Sequence, residues 1–139
     1  MRIAEAIGMR LSSGLEVIED HAGAGGAAAR GDRVVYNVRI FLNRGDEVPL
    51  NETQAPALPP HLLRHEDGRV FIDHTIVLGS REAVAGIERA LIGMKPGGYR
   101  KVRIGPHLAY REKGIPGLIP PNAVLIVGIW MRQVMPKGD

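Results

Sequence analysis

The sequence predicts an α+β fold, with a mostly antiparallel β-sheet curled around one short α-helix. The 18 Gly and 10 Pro make up about a fifth of the 139 residues, which is typical of turn-rich proteins that contain strands. Apolar residues alternate with polar ones in several segments, as they do in half-buried strands. Only the segment after Gly79 has apolar residues at the spacing of a helix. A chain of this length predicts a single domain, 1–139.

The clearest predicted strand is residues 33–42, where every even position from Val34 to Leu42 is apolar or aromatic. Its odd positions include Arg33, Asn37 and Arg39, so the second face of this strand is predicted to be more polar. Turn residues or prolines bound the other apolar segments. The full set of predicted strands is residues 11–19, 33–42, 46–49, 69–78, 99–104 and 122–134.

The single helix is predicted to begin at Ser80, a plausible N-cap, and to end at Gly93. Its buried stripe consists of Val84, Ile87, Leu91 and Met94.

Three loops are predicted between these elements. Residues 20–32 form a connector of small residues, and residues 105–121 form a loop ordered by Pro and Gly. Residues 50–68 contain three prolines and form an inserted loop, with one helical turn at about 59–66. A loop this long in a compact domain is usually functional or mobile.

Composition excludes several classes of protein. The net charge of +3 is spread along the chain and only six residues are aromatic, so we expect no nucleic-acid partner. No apolar run approaches 18 residues and the first residues lack the pattern of a signal peptide, so we expect no membrane partner and a cytoplasmic location. The chain has no cysteine, hence no disulfide.

The histidines His61 and His65 are four residues apart and could share a helix face as metal ligands. No carboxylate or cysteine completes such a set, so the better interpretation is two solvated histidines. We therefore predict no metal and no cofactor.

A specific motif follows the predicted helix. The run A-Y-x-x-x-G-x-P-G-x-I-P-P-x-A-x-L begins at Ala109 and ends at Leu125. With Leu78-Gly79 and the helix residues, it makes residues 78–134 resemble the C-terminal half of an FKBP-type peptidyl-prolyl cis-trans isomerase. The resemblance implies an antiparallel sheet wrapped around one helix. It also implies rotation about X–Pro bonds of protein clients, as an aid to folding and without a cofactor.

The resemblance implies a site as well. Tyr110 matches the catalytic hydrogen-bond donor of the family, and Val84 matches a residue whose backbone N–H binds a carbonyl. The tryptophan of the pocket floor is replaced by Ile87, and an aspartate is replaced by Pro49. The implied substrate-binding residues are Val38, Val48, His74, Val84, Ile87, Tyr110, Leu118, Ile119 and Val127.

The aromatic pocket of the family is thus almost absent here, because Val38, Val48, His74 and Val127 stand at its wall positions. Tyr36 could replace one lost ring, or it could be a core tyrosine. Two functions remain open: an isomerase that is weak on short peptides, or a peptide-binding or chaperone module with little catalysis.

Alternative interpretations remain open for three features of the sequence. The 50–68 insert is either a mobile surface loop or a lid over the shallow pocket. Arg111 and Lys113 either form a solvated tip or steer acidic peptides. In the last strand Val124, Ile126 and Trp130 are predicted to point away from the helix, where the N-terminal segment or a second copy in a homodimer could cover Trp130.

Overall fold

The computed structural model of the protein describes residues 10–138. In chain order its strands are β1 (Arg10–Ser12), β2 (Leu15–His21), β3 (Arg33–Leu42), β4 (Glu47–Val48), β5 (Leu63–Glu66), β6 (Arg69–Ile72), β7 (His74–Val77), β8 (Tyr99–Ile104) and β9 (Leu125–Met135). The α-helices are α1 (Leu50–Gln54) and α2 (Ala85–Leu91), and single 3-10 turns lie at Ala55–Ala57, Pro60–Leu62 and Pro106–Leu108. Within the described part of the chain, neither α-helix is long and apolar enough to cross a membrane.

The main sheet is antiparallel throughout, with strand order β1-β2-β8-β9-β3-β4 and with β7 also paired to β3. The helix α2 packs on one face of this sheet. A Cβ atom on Gly86 would lie 2.4 Å from Ile104 Cγ2, so only glycine permits this close approach of helix and strand. The predicted α+β class, a sheet curled around one short helix, is confirmed.

The alternation predicted for β3 and β9 agrees with the burial of their side chains. In β9 the side chains of Leu125, Val127 and Ile129 are fully buried beneath α2, while Ile126 and Trp130 lie on the outer face and are partly exposed. Burial of one face of a central strand fixes its register, because a slip of one residue would expose the whole apolar set.

Helix α2 begins at Ala85 and ends at Leu91, so the predicted limits at Ser80 and Gly93 are wrong. The cause is Glu88, whose buried carboxylate accepts hydrogen bonds from the backbone N–H groups of Gly79 (2.6 Å) and Ala83 (3.4 Å). These bonds hold residues 79–83 as turns, and the helix starts only after them.

Four predicted strands have different limits in the structure, and the shortest of them, 46–49, is reduced to Glu47–Val48. Residues 11–19 form parts of two strands, β1 and β2, joined at Gly14, whose φ of +85° suits the turn. The last strand begins at Leu125 rather than residue 122. The predicted strand 69–78 is divided at Asp73, because β6 pairs with β5 whereas β7 pairs with β3.

The insert has the predicted helical turn, a 3-10 turn at Pro60–Leu62, but the rest of it is not the single loop that was predicted and divides into two parts. Its first part is α1 and the 3-10 turn after it, and its second part is the β5–β6 hairpin. The hairpin covers the outer face of the main sheet. Phe71 of β6 is buried there, with its ring centroid 5.5 Å from that of Trp130 in an edge-on contact.

The ring of Tyr99 also packs on Trp130, at 4.8 Å between centroids. The chain's own hairpin and β8 therefore supply cover for this tryptophan. The alternative cover was the N-terminal segment 1–10, of which residues 1–9 lie outside the described residues, and the homodimer near Trp130 stays a prediction.

A buried asparagine joins the hairpin to the sheet. Asn37 lies on the outer face of β3, where a polar residue was predicted, but its side chain is fully buried beneath the hairpin. Its amide N–H groups donate to Ile72 O (2.8 Å) and Asp73 Oδ1 (2.7 Å), and its Oδ1 accepts a hydrogen bond from Arg132 Nε (2.6 Å). All the strong hydrogen-bonding groups of this side chain are thus paired.

A second buried asparagine, Asn51 of α1, joins α1 to the sheet in the same way. Its amide donates to Val38 O (2.8 Å) and its Oδ1 accepts from the N–H of Ile72 (3.3 Å). Both parts of the insert are therefore bonded to β3, and both asparagines also bond to the backbone of Ile72.

Ion pairs strengthen the attachment of the hairpin. Glu47 of β4 accepts hydrogen bonds from Arg39 (2.8 and 3.1 Å) and from Arg69 of β6 (2.6 Å). Asp73 accepts from Arg64 of β5 at 3.0 and 3.3 Å. The hydrogen bond from Arg39 is the main reason that the pKa of Glu47 lies below its ordinary value, although burial opposes the shift. Burial opposes ionisation of Asp73 more strongly than any single partner favours it, but the hydrogen bonds and charges of Arg64, Asn37 and Arg132 together lower its pKa.

We expect the free energy of unfolding to fall as the pH decreases from about 5 through the lowered pKa values of Glu47 and Asp73. A carboxyl whose pKa is lower in the folded protein stabilises it above the pKa of the unfolded chain, and this contribution disappears as the pH falls through the folded pKa. Urea unfolding at several pH values between 7 and 3 measures the slope of the free energy of unfolding against pH. Glu47→Gln should flatten it, whereas Asp46→Asn, which changes an exposed pair with Arg44, should leave it unchanged. A slope that Glu47→Gln does not alter would contradict this assignment.

Candidate functional site

A cavity of about 300 Å³ opens between β3, α1, β7 and the start of α2. Its walls are mainly aliphatic and aromatic, with a few polar residues among them, as is usual for sites that bind small apolar groups. A wider depression of about 450 Å³ beside β4 is lined by four charged or polar side chains, those of Glu47, Glu52, His65 and Arg69, together with Pro49, Gly68 and Val70. The residues that line the apolar cavity are Tyr36, Val38, Ile40, Leu50, Asn51, Gln54, His74, Glu82, Ala83, Val84, Ile87 and Tyr110.

Five of the nine sequence-predicted site residues line this cavity together: Val38, His74, Val84, Ile87 and Tyr110. They come from β3, β7, the residue before α2, α2 itself and the loop before β9. The tertiary fold therefore gathers residues that are up to 72 positions apart in the sequence.

The other four predicted residues do not line the cavity. Val48, Ile119 and Val127 are buried in the core, and Leu118 packs against that core while partly exposed. Val127 lies in the central strand β9, where it faces Val102 and Ile40 across the neighbouring strands. Their contact with a substrate stays a prediction from the resemblance.

Tyr36 and His74 form one wall as a stacked pair, with 5.3 Å between ring centroids and 27° between ring planes. The two residues are opposite each other in the β3–β7 register. Burial lowers the pKa of His74 below its ordinary value of 6.5, against an opposing effect of Asp73. The imidazole is therefore neutral at pH 7, and this wall carries no charge.

Two tyrosine hydroxyls, those of Tyr36 and Tyr110, belong to the cavity. Neither makes a hydrogen bond with another described residue. Every fully buried side-chain N or O atom in the described part of the chain does have a partner, so the Tyr36 hydroxyl must reach the open cavity. Burial is the largest cause that raises the pKa of both phenols above 10, and Tyr110 and Glu88 raise that of Tyr36 further. Both groups are therefore protonated donors at neutral pH.

Sequence reasoning missed several residues of the cavity. Ile40 could have been found, because it lies on the same face of β3 as Tyr36 and Val38. Leu50, Asn51 and Gln54 could not, since they reach the cavity only because the insert folds as α1. The first part of the insert is thus a wall of the cavity, while its second part covers the opposite face of the sheet.

No three His, Asp or Glu side chains between residues 10 and 138 come together as a set of metal ligands. His61 lies in a 3-10 turn and His65 in β5, and both are exposed. The helical face that they would share does not form.

Comparison with known proteins relates this fold and cavity to one family. A family model described as "FKBP-type peptidyl-prolyl cis-trans isomerase" matches residues 61–131. The chain is 30% identical to "FK506-binding protein 4" of Chaetomium thermophilum over 129 residues, which cover 93% of this chain and 23% of that protein. It is 37% identical to "Peptidyl-prolyl cis-trans isomerase FKBP10" of Bos taurus over 81 residues, 53% of this chain and 14% of that protein.

The crystal structure of FkpA from Escherichia coli superposes with a TM-score of 0.65 at 29% sequence identity, covering 94% of this chain and 53% of that one. The chain therefore spans less than a quarter of these curated relatives and about half of FkpA.

Proposed function

Because the chain belongs to the FKBP-type peptidyl-prolyl cis-trans isomerase family, we propose that its cavity binds proline-containing segments of protein clients and catalyses rotation about the X–Pro bond. The observation that carries the proposal is the pair of unpartnered hydroxyl donors, Tyr36 and Tyr110, in a cavity whose walls are otherwise largely apolar.

The physical basis is the change in the amide during rotation. A planar amide is held by resonance, which gives a barrier of about 18–20 kcal/mol. The twisted amide has lost that resonance and is less polar, so an apolar site favours it over the planar ground state. Val38, Val84 and Ile87 supply apolar wall for the proline ring and exclude water from it.

Hydrogen bonds to the carbonyls beside the proline hold the substrate during this rotation. Tyr110 is the donor that the family resemblance implies, together with the backbone N–H of Val84. Tyr36 adds a second hydroxyl, and its stacked ring with His74 gives back part of the aromatic wall that the sequence lacks at Val38 and Ile87. No covalent step, metal or cofactor enters the mechanism.

A second function is favoured by the mostly aliphatic walls. Without aromatic side chains at Val38 and Ile87, the cavity defines the orientation of a proline ring less sharply. A peptide-binding or chaperone module that catalyses slowly remains the alternative. Isomerisation of a short peptide measured beside proline-limited refolding of a protein separates the two, since a pure binding module accelerates neither.

We expect Tyr110→Phe to lower kcat/KM for X–Pro isomerisation about two- to tenfold, because one hydrogen bond of about 0.5–1.5 kcal/mol is lost. Exchange spectroscopy by NMR measures the rate on a Leu-Pro peptide. The matched control is Tyr99→Phe, since Tyr99 lies on the outer face of the sheet beside Trp130. Unchanged rates in a folded Tyr110→Phe protein would contradict the role of this hydroxyl.

Two finer expectations belong to this proposal. The clients are unfolded or partly folded chains with accessible X–Pro bonds, in a cytoplasmic setting. A homodimer through the outer face near Trp130 is checked by light scattering of the purified protein, and a monomer at all concentrations would exclude it.

A further inference from the structure

A second depression, of about 460 Å³, lies directly beside the proposed proline cavity. Four arginines line it, with one carboxylate, Glu88. We call this depression the arginine groove and define it by Arg30, Arg81, Arg89 and Arg111.

The groove and the cavity share one wall. Ala83 lines both, and its neighbours alternate, so that Glu82 and Val84 line the cavity while Arg81 and Ala85 line the groove. The same occurs at Tyr110, which lines the cavity, and Arg111, which lines the groove. An extended peptide with its proline in the cavity therefore reaches the groove within a few residues, at about 3.3 Å per residue.

The arginine groove carries more positive than negative charge, with four arginines and one carboxylate among its lining residues. The carboxylate of Glu88 is held by the N–H groups of Gly79 and Ala83. Arg30, Arg81 and Arg111 make no ion pair with another residue in the described range. Most other arginines of the sheet and hairpin do have such partners, for example Arg39 with Glu47 and Arg132 with Glu66. The unpaired guanidinium groups are thus concentrated where a client would pass.

The backbone directs two of these side chains to the groove. Arg81 has a φ of 67° and Arg111 a φ of 53°, a left-handed conformation that residues with a Cβ rarely adopt. Strained conformations of this kind cluster at functional sites. Arg30 reaches the groove by lying over Gly79, where a Cβ would be 2.9 Å from Arg30 Cγ. Gly79 thus leaves the space in which Arg30 is placed.

We propose that the arginine groove binds an anionic side chain, a carboxylate or a phosphate, that lies within a few residues of the proline held in the cavity. Guanidinium groups suit both anions, because they present paired N–H donors that match two oxygens. The protein then selects X–Pro sites in acidic or phosphorylated surroundings. This inference rests on the proposed function, since it takes the cavity as the place of the proline.

Binding and catalysis are measured separately to test it. The probes are fluorescent nine-residue peptides with one Leu-Pro bond, Ala elsewhere, and Glu, phosphoserine or Gln at one position up to three residues from the proline. Anisotropy gives Kd and NMR exchange gives the isomerisation rate. We expect the best Glu or phosphoserine peptide to bind about three- to tenfold more tightly than its Gln analogue at low salt, with the difference shrinking in 0.5 M NaCl.

The variant Arg81→Gln/Arg111→Gln should reduce this preference to less than about twofold, and Arg81→Lys/Arg111→Lys should keep part of it. The matched control is Lys101→Gln/Arg103→Gln, which removes two cations from β8. Val102 and Ile104 of this strand are buried in the core, so the alternating Lys101 and Arg103 lie on the other face of the sheet. Its preference should remain as in the unmodified protein.

Equal Kd values for Glu, phosphoserine and Gln peptides at every position would overturn the proposal, as would a preference that survives in Arg81→Gln/Arg111→Gln. Preferential binding of anionic peptides without any isomerisation supports the groove and contradicts the isomerase function. Isomerisation with equal Kd values for anionic and Gln peptides supports the isomerase function and contradicts the proposed role of the arginine groove. A preference for phosphoserine alone assigns the groove to phosphate, and one for both anions assigns it to carboxylates as well.

Discussion

Replacing both cavity tyrosines, Tyr36→Phe/Tyr110→Phe, is expected to lower kcat/KM for X–Pro isomerisation about 30-fold. Each hydroxyl contributes a hydrogen bond of about 1 kcal/mol to the bound substrate, and about 2 kcal/mol corresponds to this factor. The aromatic rings remain, so the walls of the cavity and the stack of Tyr36 on His74 are preserved. NMR exchange on a Leu-Pro peptide gives the rate, and saturation separates kcat from KM.

The stability of this double variant should stay close to that of the unmodified protein, because neither hydroxyl bonds to another described residue. That result distinguishes it from an ordinary core mutation, in which lost activity follows lost structure. If the double variant is no slower than Tyr110→Phe alone, Tyr36 contributes only its ring, and the assignment of a second donor fails.

The second large effect is expected at Asn37, far from the catalytic chemistry. Asn37→Ala should lower the free energy of unfolding by about 3 kcal/mol, or Tm by roughly 10 °C. The change removes one buried and two partly buried hydrogen bonds, and it leaves Ile72 O, Asp73 Oδ1 and Arg132 Nε without the Asn37 side chain as a partner. Urea and thermal unfolding measure the loss.

Asn43→Ala is the matched control, since Asn43 lies exposed in the turn after β3 and accepts only one long hydrogen bond, at 3.4 Å from Arg103. Its effect should stay within about 0.5 kcal/mol. Should Asn37→Ala cost no more than Asn43→Ala, the hairpin would not depend on this asparagine for its attachment. Trp130 fluorescence reports the same event, because loss of the Phe71 contact exposes the indole.

Much of the site was accessible from local sequence because it lies on regular elements. Apolar periodicity places Val38 on the inward face of β3 and Ile87 in the buried stripe of the helix. The family resemblance, carried by the motif that begins at Ala109, implies that both residues and Tyr110 belong to the site. The start of α2 was not accessible in this way. Ser80 is a residue type that often caps helices at the N-terminus. The carboxylate of Glu88, however, accepts a hydrogen bond from the N–H of Gly79, nine residues earlier, and the helix begins only at Ala85.

The fold of the whole insert, like the start of α2, could not be predicted from local sequence. Its prolines at 56, 59 and 60 indicate turns, and nothing in its local pattern indicates where those turns lead. Asn51 lies in the predicted inserted loop 50–68, yet its side chain is buried and bonds to Val38 O and the N–H of Ile72. Asn37 was predicted to lie on the more polar face of β3, and the hairpin covers it there. In both cases the partner is supplied by a distant segment.

The sequence by itself determined the fold class, the presence of one short apolar helix against the sheet, the alternation of β3 and β9, and membership of the FKBP-type family, because these depend on periodicity and on a contiguous motif. Only the tertiary structure decided which buried polar side chains have hydrogen-bond partners and which part of the insert borders the cavity. It also decided that several arginines without ion pairs lie in the arginine groove. The physical reason is that hydrogen bonds, ion pairs and cavity walls are made between residues far apart in the chain. Their energies depend on distances of a few ångströms that no local pattern encodes.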